Sequence, residues 1–518
     1  MSADDSTAIT TAFGRDTRVW LAAAVYVAVF TALSIYRFSL MGDCYDISIF
    51  EQSFWSTVNE GLPLYNSQEG AQFGRFSHFS AHFSPFLFLL TPLYWLWQRP
   101  EMLLFIKTAA LALAAFPLYG LATALLGSRE AGGWVVLSYL LYPPLHGVNL
   151  WGFHENEFAV APLMFLLLSF VRRDRFLFWI SLLAALSVKE SVALPTAAFG
   201  LYLLLFGREK RMGLAVIGVS VTWLFAVQWI IIPFAQGKGL FEMSNRLFRV
   251  LYDPIVGQSY GEIFWNIIRH PVRTAHYALA VPERREYLLQ LFLPLVFVPL
   301  AAPESLLIAA PSLLQNLLSR YRGQFAILGQ YHAEMIPFLF YGFCLGSARI
   351  QRFLRYGSAA AGRTSSEPGA STQKEQRPKI ATGILGLALI AVLVANAISG
   401  VWSFAVGRSD FLFAIAKPAE RRQAALKLIA SIPQDASVLT DVSMIPHLGR
   451  RVWLHAINRE PFFARDWDYV LLDFQFPWVA DVSRDEVIRT LQAKRYQTTL
   501  IEDIALFKRP GAPERRKN

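Results

Sequence analysis

Long apolar runs alternate with short polar segments along residues 1–403 of this chain. The first run, residues 18–38, is long enough to cross a hydrocarbon core of about 30 Å at about 1.5 Å of rise per residue. About ten further apolar runs follow it, each long enough to be considered as a membrane crossing. The pattern therefore predicts an α-helical polytopic membrane protein with about eleven transmembrane helices.

One short apolar run, residues 82–97, determines on which side of the membrane the later loops lie. It contains two prolines, and it either crosses the membrane or folds back. If it folds back, the basic segments 172–175, 208–211 and 349–379 all lie on the cytoplasmic side with the N-terminus, as the retention of Lys and Arg on that side favours. We therefore predict a re-entrant element whose backbone is covered by protein.

The remaining segments divide the chain into domains. Residues 1–17 form a polar N-terminus that we expect in the cytoplasm, and residues 18–403 form the transmembrane domain with an outer loop at 39–100. Residues 357–378 are small and polar without periodicity, which is typical of a disordered cytoplasmic linker. Residues 404–518 alternate helix-like and strand-like stretches, which predicts a small extracytoplasmic α/β domain.

Composition and charge narrow the class of protein further. Hydrophobic residues make up 54% of the chain and charged residues 17%, compared with about 25% charged residues in soluble domains. The net charge of +10 fits Lys and Arg in cytoplasmic loops, and no nucleic-acid-binding motif accompanies it. We therefore expect the lipid bilayer, and no nucleic acid, as a partner. Cys44 and Cys344 lie far apart and predict neither a disulfide framework nor a cysteine-based metal site.

Two carboxylates open the first outer loop. Asp43 and Asp46 follow the first apolar run and precede residues 47–60, whose apolar and aromatic side chains suit a helix lying along the interface. Headgroup chemistry takes place at this depth, so we interpret the pair as catalytic. Capping of that helix is the alternative for either residue singly, because Asp is a favoured N-cap.

Other ionisable residues lie at the boundaries of later apolar runs. Lys189, Arg320 and Arg322 are candidates to bind an anionic headgroup, since guanidinium and ammonium groups pair with phosphate oxygens. The alternatives are an exposed hairpin tip for Lys189 and snorkelling to ordinary phospholipid for the arginines. His78 and His82 are candidates to donate hydrogen bonds to a phosphate or sugar, with interfacial packing as the alternative. Two histidines do not complete a metal site, so a divalent metal is left open and no cofactor is assigned.

Four motifs resemble those of a family of predicted prokaryotic membrane proteins of unknown function: YDISIFEQSFW at 45–55, HFSP at 82–85, FHE at 153–155 and KE at 189–190. The order of elements also resembles the GT-C type of polytopic glycosyltransferases, such as protein O-mannosyltransferases and the aminoarabinose transferase of lipid A. The resemblance covers residues 18 to about 403. It implies a GT-C-like fold and inverting transfer of a sugar from a polyprenyl-phosphate-linked donor to an extracytoplasmic glycan, lipid or protein acceptor.

The resemblance also implies roles for particular residues. Asp46 matches the Tyr-Asp position of the family, which makes it the first choice for general base and Asp43 the second; an attacking hydroxyl must in any case lose its proton to a positioned base. Candidates to bind the donor phosphate are Lys189, Arg320, Arg322, His82 and His154. Candidates to bind the rest of the substrate are Glu155, Glu190, His78, Gln52, Trp55 and His332. The acids are spaced Asp-x-x-Asp instead of the Asp-x-Asp of metal-dependent GT-C enzymes, which again leaves a metal open.

Two other functions remain as alternatives at the level of sequence. A multi-pass transporter or flippase for a lipid-linked substrate would also need intramembrane charges, although no inverted repeat is visible. A non-enzymatic scaffold would explain the C-terminal domain but not the clustered polar groups. The sequence favours a glycosyltransferase in the plasma (inner) membrane of a prokaryote.

Overall fold

The computed structural model describes most of the chain. The described residues are 16–41, 45–73, 75–207, 209–239, 246–361, 370–401, 416–457, 465–475 and 484–514. Asp43, one of the two acids predicted to be catalytic, lies outside these ranges.

The first four hundred residues fold mainly as α-helices. In chain order these are α1 (Thr17–Ser39), α2 (Asp46–Asn59), α3 (Ser67–Phe73), α4 (Leu87–Leu96), α5 (Pro100–Leu113), α6 (Ala115–Leu126), α7 (Arg129–Leu140), α8 (Pro143–Leu150), α9 (Val160–Arg172), α10 (Arg175–Leu186), α11 (Ala193–Leu205), α12 (Lys210–Ala226), α13 (Ile232–Ala235), α14 (Arg246–Leu251), α15 (Tyr260–Arg269), α16 (Pro271–Ala280), α17 (Pro282–Phe292), α18 (Pro303–Leu317), α19 (Ile336–Ala361) and α20 (Ala370–Ser399).

Local sequence explains where several of these helices begin. The side chains of Asp16, Ser128 and Asp174 cap α1, α7 and α10 by accepting a hydrogen bond from a backbone N–H of the first turn. Pro occupies the first turn of α5, where its missing N–H costs nothing because that donor would have no helical partner. The apolar faces of the helices then pack into one core.

Three helical segments among the described residues are long and apolar enough to cross a membrane: Thr17–Ser39, Pro100–Leu126 and Lys210–Ala235. Other apolar helices, such as Arg175–Leu186 and Gly383–Ser399, are shorter. The structure therefore supports a membrane protein, while the expected number of about eleven transmembrane helices is not confirmed by helix length.

The proline-bearing run forms the ten-residue helix α4, Leu87–Leu96. At about 1.5 Å per residue it is about 15 Å long, half of a hydrocarbon core of about 30 Å. Phe86 N–H donates to the carbonyl of Ser187, so the entry to α4 is held against the loop that precedes Lys189. A helix of this length is too short to cross such a core, as expected for a re-entrant element, and the side of the membrane on which the later loops lie stays a prediction.

The predicted disordered linker is different in the structure. Residues 357–361 continue α19 and residues 370–378 belong to α20, so the described parts of 357–378 are helical. Most residues here are small, polar or charged and no Gly or Pro interrupts 370–377, so nothing in that stretch prevents helix formation. Residues 362–369 lie outside the described part of the chain.

The C-terminal region folds as the α/β unit that its sequence predicts. Its helices are α21 (Ala419–Ser431) and α22 (Arg484–Ala493), and its strands are β1 (Val438–Thr440), β2 (Leu454–Ala456), β3 (Tyr469–Asp473), β4 (Gln497–Ile501) and β5 (Ile504–Lys508). The strand order is β2-β1-β3-β5-β4, with β1 parallel to β2 and β3, and β5 antiparallel to β3 and β4. Alternate residues of β1 and β3 enter two separate apolar clusters, one on each face.

This C-terminal domain is held against the helices of the first outer loop. Gln52 Nε2 donates to the carbonyl oxygens of Arg451 at 2.8 Å and Val452 at 2.9 Å. Ser67 Oγ donates to the carbonyl of Leu454 at 2.8 Å. These side chains of α2 and α3 bind main-chain atoms at and just before the start of β2, mostly out of contact with water. The C-terminal domain therefore helps to fix the position of α2 and α3.

Candidate active site

A cavity of about 360 Å³ lies between distant parts of the chain. Its walls come from residues 46–82, from the loops before α9 and α11, and from residues in or near α13 and α18. Ionisable side chains from distant parts of the sequence line it: Asp46, Glu69, His78, His82, His154, Glu155, Lys189, Glu190 and Glu334. Its size is typical of a small-molecule binding site. Seven of these nine residues are among those selected from the sequence.

Asp46 and His154 are paired in the wall of this cavity. Asp46 is the first residue of α2, whose N-terminus has no side-chain cap, so Asp46 does not act as the cap that its position allowed. His154 Nε2 donates to Asp46 Oδ2 at 2.8 Å. The Asp46 side chain is 39% exposed and the His154 side chain 4%. The carboxylate is therefore accessible from the cavity, while the imidazole that orients it is buried.

Glu157 and Lys107 lie on the far side of His154. His154 Nδ1 is 3.7 Å from Glu157 Oε1, and Glu157 is fully buried in the 3-10 helix Glu155–Ala159. The charge of Lys107, a fully buried residue of α5, also acts on Glu157. Neither residue was selected from the sequence. Glu157 lies two residues after the FHE motif at 153–155, whereas Lys107 is a single charge within an apolar run.

His78 is bracketed by two other carboxylates. Its Nδ1 is 3.0 Å from Glu69 Oε2 and its Nε2 is 3.1 Å from Glu155 Oε1. Burial opposes the charged form, but Glu69 and Glu155 together raise the pKa of His78 to about 10. His78 is therefore an imidazolium that joins two buried acids. The sequence predicted that His78 donates a hydrogen bond to a phosphate or sugar; in the structure both of its ring nitrogens face carboxylates of the protein.

Lys189 connects this pair of acids to the cavity. Its Nζ is 3.5 Å from Glu155 Oε2 and donates to Asn156 Oδ1 at 3.2 Å. Burial would lower the pKa of Lys189, but Glu155, Glu190 and Glu334 raise it above its usual value. Burial likewise opposes ionisation of Glu155, yet the positive charges around it hold its pKa well below the usual range. Lys189 is therefore a cation in the cavity wall.

Two further sets of polar contacts complete the wall of the cavity. His82, whose side chain is 32% exposed, lies with Nδ1 2.7 Å from Glu190 Oε1. Glu334 Oε1 accepts hydrogen bonds from Asn156 Nδ2 at 2.7 Å and Ser191 Oγ at 2.6 Å. Sequence reasoning did not select Glu69 or Glu334 as site residues. Glu334 could have been found from the sequence, because it lies two residues after His332 at the start of an apolar run. Glu69 is on a short helix with no apolar run beside it.

The predicted phosphate-binding arginines do not line the cavity. Arg320 and Arg322 are exposed, and Arg322 Nη2 is 3.6 Å from Glu283 Oε1 on the surface. Lys189 is the one Lys or Arg among the described residues that line the cavity. The prediction that these arginines reach a donor phosphate in the cavity therefore has no support from their position, because the loop directs them outward.

Three predicted substrate-binding residues also lie elsewhere. Gln52 binds the main chain of the C-terminal domain, as described above, and Trp55 is packed in the apolar core. His332 is fully buried, with Nε2 2.9 Å from the carbonyl of Pro144, and burial lowers its pKa to about 4. These side chains stabilise the walls behind the cavity and do not reach into it.

The site does not define a metal centre. Among the described residues, no group of three or more His, Cys, Asp and Glu side chains is arranged to hold a metal ion. The ring nitrogens of His78 and His154 both face carboxylates of the protein. No ligand set for a divalent metal is therefore assigned.

Comparison with solved structures identifies the fold. The crystal structure of ArnT from Cupriavidus metallidurans bound to undecaprenyl phosphate is similar with a TM-score of 0.52 and 10% sequence identity, covering 96% of this chain and 99% of that chain. The apo structure of the same protein gives a TM-score of 0.47 and 12% identity over 94% and 98% of the two chains. The first of these confirms the GT-C-like fold predicted from the sequence. At such identities the likeness concerns the fold alone.

Comparison with sequences identifies the family. No curated protein sequence matches this chain. The profile of one family, described as "Predicted membrane protein (DUF2079)", matches residues 37–503. That match covers the first outer loop, all of the cavity residues described above and most of the C-terminal domain. The chain therefore belongs to this family of predicted membrane proteins.

Proposed function

We propose that this protein is a membrane glycosyltransferase that transfers a sugar, with inversion, from a polyprenyl-phosphate-linked donor to an extracytoplasmic acceptor. The observation that carries the proposal is the position of Asp46, a partly exposed carboxylate that faces a cavity and is fixed at 2.8 Å by a buried histidine. A carboxylate held in this way is suited to remove a proton from a bound hydroxyl group. The acceptor class, whether glycan, lipid or protein, is left to experiment.

The proposed reaction is a single displacement. The acceptor oxygen forms a bond to the anomeric carbon from one side while the bond from that carbon to the phosphate oxygen breaks on the other, which inverts the configuration. The acceptor proton moves to Asp46, and the electron pair of the broken bond leaves with polyprenyl phosphate. Lys189, in the wall of the same cavity, stabilises the negative charge on the leaving phosphate.

The shape of the molecule supports a lipid-linked donor. ArnT, the protein of similar fold, was crystallised with undecaprenyl phosphate. In this chain the same cavity that contains the ionisable cluster is lined on another side by Ile232, Pro233 and Leu251. Ile232 and Pro233 belong to the apolar segment Lys210–Ala235, which is long enough to cross a membrane. A sugar phosphate in the cavity would therefore have an apolar surface beside it for the first isoprene units.

The proposal includes an orientation in the membrane. The N-terminus would be cytoplasmic, and the cavity and the C-terminal domain extracytoplasmic, in the plasma (inner) membrane of a prokaryote. Cysteine variants at surface positions of the C-terminal domain, such as Asp466→Cys, should react with a membrane-impermeant maleimide added from outside. Labelling only after the membrane is opened would contradict this orientation.

The enzymatic proposal is tested by donor consumption. Purified protein in bilayers is incubated with radiolabelled polyprenyl-phosphate sugars and an envelope lipid extract, and released polyprenyl phosphate is measured. We expect turnover by the unmodified protein and a loss of at least about 100-fold in Asp46→Asn, because the amide keeps the size and lacks the basicity. Asp466→Asn is the matched control, since Asp466 is an exposed acid of the C-terminal domain. Full activity of Asp46→Asn would remove this residue from the mechanism.

The same assay separates the enzyme from a flippase. A flippase would move the labelled donor between leaflets without releasing polyprenyl phosphate, and Asp46→Asn would then alter only the sidedness of the label. Asp43, the second candidate for the base, is tested by Asp43→Asn in parallel. If Asp43→Asn is inactive and Asp46→Asn is active, the role of base belongs to Asp43.

A further inference from the structure

Two buried ionisable residues, Glu157 and Lys107, have no part in the reaction proposed above. Both are fully buried, and Lys107 lies within Pro100–Leu126, a segment able to cross a membrane. Charged groups at such depth are costly unless they are paired, and they commonly mark functional sites. Glu157 faces His154, and the charge of Lys107 acts on Glu157, so both residues can influence the protonation of His154.

Asp46, His154 and Glu157 form an ordered row that begins at the cavity, and the charge of Lys107 acts on Glu157, the last of the three. Asp46 Oδ2 is 2.8 Å from His154 Nε2, and His154 Nδ1 is 3.7 Å from Glu157 Oε1. Among the described residues neither carboxylate oxygen of Glu157 has a hydrogen-bond partner, so its charge is balanced by His154 and Lys107. Ionised in this order the row alternates in sign: acid, imidazolium, acid, ammonium.

We propose that Glu157 and Lys107 are positioning residues that act on Asp46 through His154. Lys107 keeps Glu157 ionised, and Glu157 keeps His154 protonated on both ring nitrogens. The ring is thereby held with Nε2–H directed at Asp46, whose carboxyl group lines the cavity. The inference deepens the proposed function, since it takes Asp46 as the general base, but the row of charges can be tested without any assay of activity.

Other titratable groups face this row. The charge of Asp46 acts on the neighbouring Tyr45, which Glu69 also affects, and the charge of Glu157 acts on Tyr26 of α1. Burial raises the pKa of Glu157 above its usual value, and the positive charges of Lys107 and His154 oppose that rise. Glu157 is therefore the member whose ionisation depends most directly on its partners, and Lys107 is the partner that a single substitution removes.

The test is the pH dependence of carbodiimide labelling at residue 46. Hydrophobic carbodiimides react with protonated carboxyl groups, and peptide mass spectrometry of the full-length protein in bilayers assigns the label to residue 46 or 157. We expect Glu157→Gln to move the midpoint of labelling at Asp46 upward by about one pH unit or more, because the imidazolium beside Asp46 is lost. Lys107→Met should move it in the same direction, because Glu157 then becomes neutral.

The sign of the change distinguishes this relay from a direct field effect. If Glu157 acted on Asp46 directly, removing its negative charge would move the midpoint downward, opposite to the relay. The double variant Lys107→Met with Glu157→Gln should give the same shift as Glu157→Gln alone, because the proposed relay passes from Lys107 to Asp46 through Glu157. A downward shift, no shift, or additive shifts would each overturn the proposal.

Three controls address folding and the assay. Lys107→Arg keeps the positive charge. If this variant folds, its midpoint of labelling at Asp46 should equal that of the unmodified protein, in contrast to Lys107→Met. Glu51→Gln replaces a buried acid of α2 that faces Arg450 of the C-terminal domain, and it should leave the midpoint at residue 46 unchanged. Asp46→Asn should abolish labelling at residue 46.

Kinetics give the second readout. If the enzyme is active, the acidic limb of kcat against pH should move with the labelling midpoint while KM for the donor changes by less than about threefold. A structural role alone would lower activity without moving that limb. If no donor is consumed by any variant, the proposed function fails, but the labelling result still decides whether the relay exists.

Discussion

Two largely buried rows of charge meet at the cavity, and they differ in which member is most exposed: Asp46 in one row and Lys189 in the other. One row runs Asp46, His154, Glu157, Lys107 and exposes its acid; the other runs Glu69, His78, Glu155, Lys189, and its lysine lines the cavity. In both rows an imidazole lies between two carboxylates, and in both a lysine neutralises the second acid. Two rows of the same order, acid, histidine, acid and lysine, therefore supply a candidate base at one wall of the cavity and a cation at another.

The two rows differ in how much of their charge is buried. In the second row the side chains of Glu69 and Glu155 are 7% and 2% exposed, so His78 compensates two acids that water hardly reaches. In the first row Asp46 is 39% exposed and can be hydrated. The comparison teaches that the second row holds the walls together, whereas the first is free to exchange a proton with a ligand.

Removal of the two histidines should give the largest difference. His78→Gln leaves two buried carboxylates with less positive charge between them, which should cost about 3–5 kcal/mol of unfolding free energy. His154→Gln should cost about 1–3 kcal/mol, because water can solvate Asp46 and the charge of Lys107 still acts on Glu157. Thermal unfolding of both variants in detergent measures the order. Equal losses would mean that the two rows are not distinguished by burial.

The two lysines should differ in what they do to the donor. Lys189→Met should lower kcat/KM for a polyprenyl-phosphate sugar by about 100-fold and weaken inhibition by polyprenyl phosphate, because a cation facing the leaving group is lost. Lys107→Met should leave that inhibition within about twofold, since Lys107 does not line the cavity. Inhibition constants for the two variants test the assignment, and a similar weakening in both would contradict it.

The pH dependence of stability should be determined by the second row. The pKa of His78 is raised to about 10 by Glu69 and Glu155, so the stabilisation that its protonation provides is fully present below about pH 6.5. It should be lost progressively as the pH rises through about 10. His78→Gln should remove this decline between pH 7 and 10, as measured by unfolding temperature against pH. A decline of unchanged slope in the variant would assign it to another group.

The smallest effect is expected outside both rows. Arg322→Ala should change donor consumption by less than about twofold, because its side chain is 81% exposed and its ion pair with Glu283 lies at the surface, where such pairs contribute about 0–1 kcal/mol. Donor titrations of the variant would check this. A loss comparable to that of Lys189→Met would restore the role that the sequence predicted for this arginine.

Local sequence predicted those features that depend on neighbours along the chain. The short helix α4 follows from two prolines in a short apolar run, and the C-terminal strands follow from apolar stretches bounded by polar turns. Asp46, His82 and Lys189 were found because a charge beside an apolar run is costly and therefore conspicuous. The number of crossings was less predictable, because 3-10 turns and prolines divide apolar runs into helices shorter than a span.

The arginines show what this reasoning leaves undetermined. Arg320 and Arg322 have the chemistry of phosphate binding, but the direction of a side chain depends on the packing of the loop that carries it, and this loop directs them outward. His332 fails for a related reason, since a boundary position does not reveal that the ring is enclosed beneath the carbonyl of Pro144. Lys107 was missed because one charge within an apolar run looks like an interruption and carries no information about its partner.

The sequence by itself determined that this is a membrane protein with acids, histidines and a lysine at the ends of apolar segments, because hydrophobicity and charge act locally. Only the tertiary structure decided which of them meet. Asp46 and His154 are 108 residues apart, and His78 and Glu155 are 77 apart, yet each pair is within hydrogen-bonding distance. Electrostatic pairing of buried groups depends on distance in space and on exclusion of water, and neither can be read from separation along the chain.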